Sequence, residues 1–296
     1  MAWAILSILS AAFGSVANVT DKWIYSRWLR TPLLSLQMEG FLSLAVGIVL
    51  VIVHPLPSIS AFLIMVGLST GILRISANYF YFRSVQLEEV SRIIPMYYLT
   101  NVFVLLFDLL IVKEPLKPPH IFGIIALSIG AILLSHKSKK MKLSRALLLM
   151  GTSALLWSIV VMMQKLTLAE LDSWTLFALM QFGSFIAILP TTLQHRSRIF
   201  SRAHVLSPAV LPVFFSELIT LASFLTFTLA LSKGPASLVN ALLSVQPFFV
   251  LALAAVIGIR LPGLLHERQT LRSFANKGVG IAWMIVGILA IFLTGA

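Results

Sequence analysis

The chain has 296 residues, 59% of them hydrophobic and 11% charged, and a mean hydropathy of +0.99. Soluble domains are about 45–50% apolar and about 25% charged, so an ordinary cytoplasmic enzyme is excluded. The net charge of +12 does not indicate nucleic acid, because the basic residues sit beside apolar runs, where Lys and Arg set membrane orientation; the absence of cysteine excludes disulfides, thiolate metal sites and thiol catalysis.

Apolar runs long enough to cross a bilayer as helices predict ten spans: roughly 2–20, 33–53, 59–82, 93–112, 118–135, 145–163, 174–193, 208–232, 235–259 and 277–294. The first is expected to be a span and not a cleaved leader, since no Lys or Arg precedes Lys22. Short polar or Pro-rich breaks separate the runs, among them His54–Pro57, Lys113–Pro119 and the basic stretch Lys137–Lys142. The longest, Arg260–Asn276, reads as an interfacial segment.

The chain repeats itself. Ser10, Ala11, Ser15, Lys22, Leu33, Leu36 and Gly40 recur 143 residues later as Ser153, Ala154, Ser158, Lys165, Leu176, Leu179 and Gly183. At a spacing of 146, Ser91, Phe103, Val104, Leu105 and Ile111 recur as Ser237, Phe249, Val250, Leu251 and Ile257, and at 157 Gly123 and Gly130 recur as Gly280 and Gly287. The expected fold is an all-α membrane protein of two five-helix repeats, residues 1–138 and 139–296. An odd number of spans per repeat makes the second copy enter from the opposite side, giving inverted repeats. Seventeen Lys and Arg fall in loops after odd-numbered spans, four in loops after even-numbered spans, and the remaining one is Arg74. By the positive-inside rule the odd loops are cytoplasmic and both termini extracytoplasmic, in a cell (inner) membrane.

Each half ends in a helix, a turn and a Gly-x6-Gly helix. With Lys113-Glu114-Pro115-Leu116, Gly123-Ile124-Ile125 and Gly130 in the first half, and Pro247, Gly280 and Gly287 in the second, the chain resembles the EamA-type branch of the drug/metabolite transporter superfamily over its whole length. It departs from that pattern at Asn101, where a family Pro would fall, and at Arg260, where an acid would fall. Glu114 is expected to order a turn at a helix end. The resemblance implies a transporter, not an enzyme.

Ionisable groups inside spans mark function, because a charge at mid-membrane costs about 2.5–3.5 kcal/mol even on a mild scale. Arg74 in span 3 and Glu217 in span 8 each lie nine residues from a cytoplasmic end, roughly 14 Å deep at the helical rise. Two readings stand: a pair facing one central cavity, or a structural bridge between the halves. Arg74, Asn78 and Tyr81 share one stripe of span 3, and Glu217 and Thr220 one stripe of span 8. Tyr97 and Asn101, Trp157 with Gln164, and Asn240 and Ser244 complete the candidate substrate site, although Asn, Ser and Thr also join membrane helices. Glu39 and Asp108 lie nearer span ends, within reach of interfacial water, and the six histidines fall in loops or at span edges.

No metal motif, nucleophile motif or phosphate-binding Gly loop occurs, so no cofactor and no metal is expected. Active transport would then run on an ion or solute gradient, with Glu217 as the proton-coupling candidate. The expected function is secondary export of a small polar or amphipathic, amino acid-like metabolite, by a monomer or homodimer in the lipid bilayer. A lipid-carrier or sugar transporter, or a non-transporting membrane enzyme or receptor, is the alternative.

Overall fold

A computed structural model describes residues 2–27, 33–88, 96–135, 144–194, 208–260 and 271–293. The basic stretch Lys137–Lys142 and most of the last loop lie outside the described residues. The described chain is helical: α1 (Ala2–Arg27), α2 (Leu33–Val53), α3 (Ala61–Leu87), α4 (Leu99–Phe107, continued by a π-turn Asp108–Val112), α5 (Pro118–Ser135), α6 (Arg145–Thr167), α7 (Ser173–Gln194), α8 (Val210–Leu231), α9 (Ala236–Leu242, a 3-10 turn Leu243–Val245, then Gln246–Arg260) and α10 (Leu271–Leu293). Seven of them are long and apolar enough to cross a membrane, and α4, α5 and α10 carry shorter apolar segments. These ten helices match the ten expected spans.

Local chemistry sets several boundaries. Ser60 caps α3 by accepting the Leu63 N–H at 3.3 Å, and Asp172 caps α7 by accepting those of Trp174 at 2.9 Å and Thr175 at 3.1 Å. The break in α9 falls just before Pro247, which has no N–H to continue the ladder. The helix α4 ends in a π-turn closed by Lys113 at φ 58. Other helices outrun their expected spans: Lys22, Arg83 and Lys165, expected in loops, belong to α1, α3 and α6.

The helices pair across the repeat. α1 packs on α8 and α6 on α3; α2 packs on α8 and α7 on α3; α5 packs on α10. Under the repeat, which equates α1 with α6, α2 with α7 and α3 with α8, each pairing maps onto its partner. Lipid offers no hydrophobic drive to bring helices together, so close backbone approach matters instead. A Cβ on Gly71 would collide with the Met180 carbonyl oxygen, and one on Gly183 with that of Leu68, which fixes the α3–α7 crossing. At α5–α10, a Cβ on Gly123 would come within 2.9 Å of the Gly287 carbonyl oxygen, and one on Gly130 within 2.7 Å of that of Gly280. The two Gly-x6-Gly stretches therefore cross antiparallel, glycine against glycine.

Candidate functional site

Arg74 on α3 is buried, 2% exposed. Its Nη1 lies 3.3 Å from Glu39 Oε1; its Nη2 donates to Ser184 Oγ at 2.9 Å, Ser43 Oγ at 3.3 Å and Gln181 Oε1 at 3.4 Å, and its Nε donates to Ser184 Oγ at 3.3 Å. The guanidinium also lies over the Phe224 ring, 4.6 Å from its centroid, in cation–π contact. Asn78, one turn along α3, donates to both Glu39 oxygens at 3.2 Å. A buried cation in a membrane needs this kind of company.

Glu39 is therefore the direct partner of Arg74. It is 2% exposed, and Asp108 is fully buried; neither reaches interfacial water as its position near a span end led us to expect. His120 on α5 is likewise buried. Glu217 is buried on α8, within electrostatic reach of Glu39, Asp21 and Arg74. Ser216, its neighbour, donates to Asp21 Oδ1 at 2.6 Å. Among the described side chains the cluster thus holds three carboxylates, Asp21, Glu39 and Glu217, against one guanidinium.

Aromatic rings wall this cluster. Phe224 packs against Phe177 at 6.0 Å, Phe227 at 6.3 Å and Trp157 at 5.5 Å between centroids. Tyr81 meets Tyr97 edge-on at 5.7 Å, and Asp21 lies within electrostatic reach of Tyr81. Gln181 gives its oxygen to Arg74, while its Nε2 is buried without a partner among the described residues. A donor thus remains beside the guanidinium.

Three of the remaining expected site residues, Asn101, Asn240 and Ser244, form a separate knot. Asn101 Nδ2 donates to Ser128 Oγ at 2.8 Å and Ser244 Oγ at 2.7 Å, and its Oδ1 accepts from Asn240 Nδ2 at 2.8 Å. This joins α4, α5 and α9, as Asn and Ser do between membrane helices. Thr220 spends its hydroxyl on its own helix, at the Ser216 carbonyl, 3.0 Å away. Gln164 accepts from Thr228 at 3.0 Å, tying α6 to α8. Asp21, Ser43, Gln181 and Ser184 were not foreseen; the one signal for the last three is a polar side chain inside an apolar run, and Asp21 falls just past the end of the first run.

Inverted five-helix repeats around a buried polar centre define the architecture of many secondary transporters. The EamA-like transporter family matches the chain twice, over residues 1–136 and 144–294, and the chain belongs to that family. It is a multi-pass membrane protein of the drug/metabolite transporter superfamily. A solved structure titled only "Crystal structure of protein" aligns with a TM-score of 0.74 and 15% identity over 99% of this chain and 96% of that one, a likeness of fold. No curated protein matches.

Proposed function

We propose that the chain is a secondary active transporter that exports a small polar or amphipathic metabolite from the cytoplasm across the inner membrane by alternating access. The repeats 1–138 and 139–296 rock about the central cluster, with both termini extracytoplasmic. The observation that carries this reading is the cluster of buried Arg74, Glu39 and Glu217, with part-buried Asp21, beside the Phe224 and Trp157 rings. A mid-membrane group of charges is costly and marks a substrate or ion pathway. Arg74 donates its hydrogen bonds within the protein, and carboxylates outnumber it, so the site favours the ammonium end of a solute, amino acid-like solutes foremost. Glu217 is the proton-coupling residue in this reading.

The test is a metabolite panel screened for thermal stabilisation of the detergent-solubilised protein, since a ligand of the folded state raises its apparent stability. Hits then enter a flux assay in reconstituted vesicles. Stabilisation and flux by ammonium-bearing solutes support the reading. Hits confined to sugars or lipid carriers would move it to those transporters, and binding without flux would overturn transport.

A further inference from the structure

At the membrane face where α4 and α6 end, the two halves are tied by charges that the central site does not use. Glu114 follows the π-turn of α4. Its Oε1 lies 2.9 Å from Lys165 Nζ near the end of α6, and its Oε2 accepts the Ala236 N–H at 2.7 Å where α9 begins. Lys165 also donates to the carbonyls of Leu231 at 3.2 Å and Gly234 at 2.7 Å, across the α8–α9 turn. Asp108 supports the same turn by accepting the Ser237 N–H at 3.2 Å. Glu114 does more than order a local turn: it joins α4, α6 and the α8–α9 turn, and this face cannot part without breaking the group.

The repeat says what the other face has in its place. Lys22 is the counterpart of Lys165, but at the 146-residue spacing Glu114 corresponds to Arg260 and Asp108 to Ala254. Both acids are missing from the second half.

We propose that Glu114 and Lys165, supported by Asp108, form an ionic latch that holds this face shut, and that its one-sidedness biases the empty transporter toward the state closed here. The inference rests on the alternating-access reading above. On the orientation favoured by the charge distribution this face is extracytoplasmic, so the resting protein stands open to the cytoplasm, as an exporter must to load. A two-state equilibrium shifts only by the contacts that differ between its states, and the two acids of the latch have no acidic counterpart at the repeat-equivalent positions 254 and 260.

The cysteine-free chain allows a direct test. Thr228, buried one turn below Leu231 and bonded to Gln164, becomes the reporter as Thr228→Cys, and its labelling by maleimide is timed in detergent without substrate. Glu114→Gln keeps an acceptor for the Ala236 N–H and removes only the charge; Lys165→Met removes the cation. Each is expected to speed labelling about tenfold. Arg260→Glu, which leaves the latch intact and installs the missing acid in the second half, is expected to speed it as well. A reporter at buried Ser153→Cys, in the α3–α6 contact, should not change.

Unchanged Thr228→Cys labelling in the latch variants overturns the latch, and a matching rise at Ser153→Cys overturns it as general loosening. Should both latch variants fail to fold, Arg260→Glu decides: faster labelling supports the one-sided bias and an unchanged rate overturns it. Labelling needs no substrate, so absence of solute flux would count against the transport reading and leave the latch result standing.

Discussion

Ser10 and Ser153 make the same hydrogen bond in opposite halves of the protein. Ser10 on α1 donates to the Ser223 carbonyl on α8 at 2.8 Å, and Ser153 on α6 donates to the Ala77 carbonyl on α3 at 2.9 Å. Ser10 and Ser153 are 143 residues apart, and Ala77 and Ser223 are 146 apart, the two spacings of the sequence repeat. Ser15 and Ser158 repeat the pattern one turn on, reaching the carbonyls of Gln246 at 3.1 Å and Thr100 at 3.4 Å. The repeat therefore specifies interactions, since each half lends its first helix to the third helix of the other.

A symmetric role predicts a symmetric cost. Interhelical hydrogen bonds in membranes average about 0.6 kcal/mol, so Ser10→Ala and Ser153→Ala should each destabilise the protein by about that much. The sites lie in different crossings, and their effects should add. Unfolding of the two single variants and the double variant in mixed micelles checks this; a double variant no less stable than either single one would refute independent, equivalent bonds.

The span count, the repeat and the paired Gly-x6-Gly motifs were legible because each is written in one segment or in two segments at a fixed spacing, whereas that the two motifs cross each other was not. The partner of Arg74 was not. Pairing Arg74 with Glu217 followed from equal depth along two helices, but depth says nothing about which helices touch at that level. Glu39 belongs to α2, close enough to its start to look interfacial, yet it is buried and bound by Arg74 and Asn78 of α3. Glu114 does order a helix end, as expected, but that end and its other partner, Lys165, lie in the other half of the sequence and were not legible from position alone.

Asp172 lies in the short connection between α6 and α7 and carries a pH dependence with a definite sign. Burial works against its charge, but the N–H groups of Thr175 and Trp174 and the nearby His54 hold the carboxyl below its ordinary value. A depressed carboxylate contributes stability that is present above its unfolded pKa and lost as pH falls through the folded one. Unfolding temperature should therefore decline on acidification into the carboxylate range, and Asp172→Ala should flatten the decline while costing about 1 kcal/mol at neutral pH, as lost N-caps do. Asp172→Asn, which still caps, should flatten it at a smaller cost.

Orientation follows from Lys and Arg placement and is open to direct measurement. Ser58, exposed in the α2–α3 connection, and Ser138, in the basic stretch between the halves, should lie on opposite sides of the membrane. With no native cysteine, Ser58→Cys should react with an impermeant maleimide added to intact cells, whereas Ser138→Cys should react only after the membrane is opened. Labelling of Ser138→Cys from outside would invert the topology and, with it, the direction in which the latch face looks.

The pair at the centre separates structure from transport. Glu39→Gln removes the charge facing Arg74 at 3.3 Å and leaves a buried guanidinium with neutral hydrogen-bond partners and no carboxylate in direct contact, Glu217 acting only from further away. Breaking a buried pair in this way costs about 3–5 kcal/mol, so this variant should be poorly folded. Glu217→Gln leaves the Arg74–Glu39 pair intact and should remain folded while losing coupled transport. The double change Arg74→Met with Glu39→Met removes both charges together, and packed apolar side chains replace a buried pair with little loss of stability. That variant should unfold within a few degrees of wild type and carry no flux. Wild-type flux through it would remove Arg74 and Glu39 from the transport site, and a double variant as unstable as Glu39→Gln would show that the surrounding Ser43, Gln181 and Ser184 cannot be buried without a charge to bind.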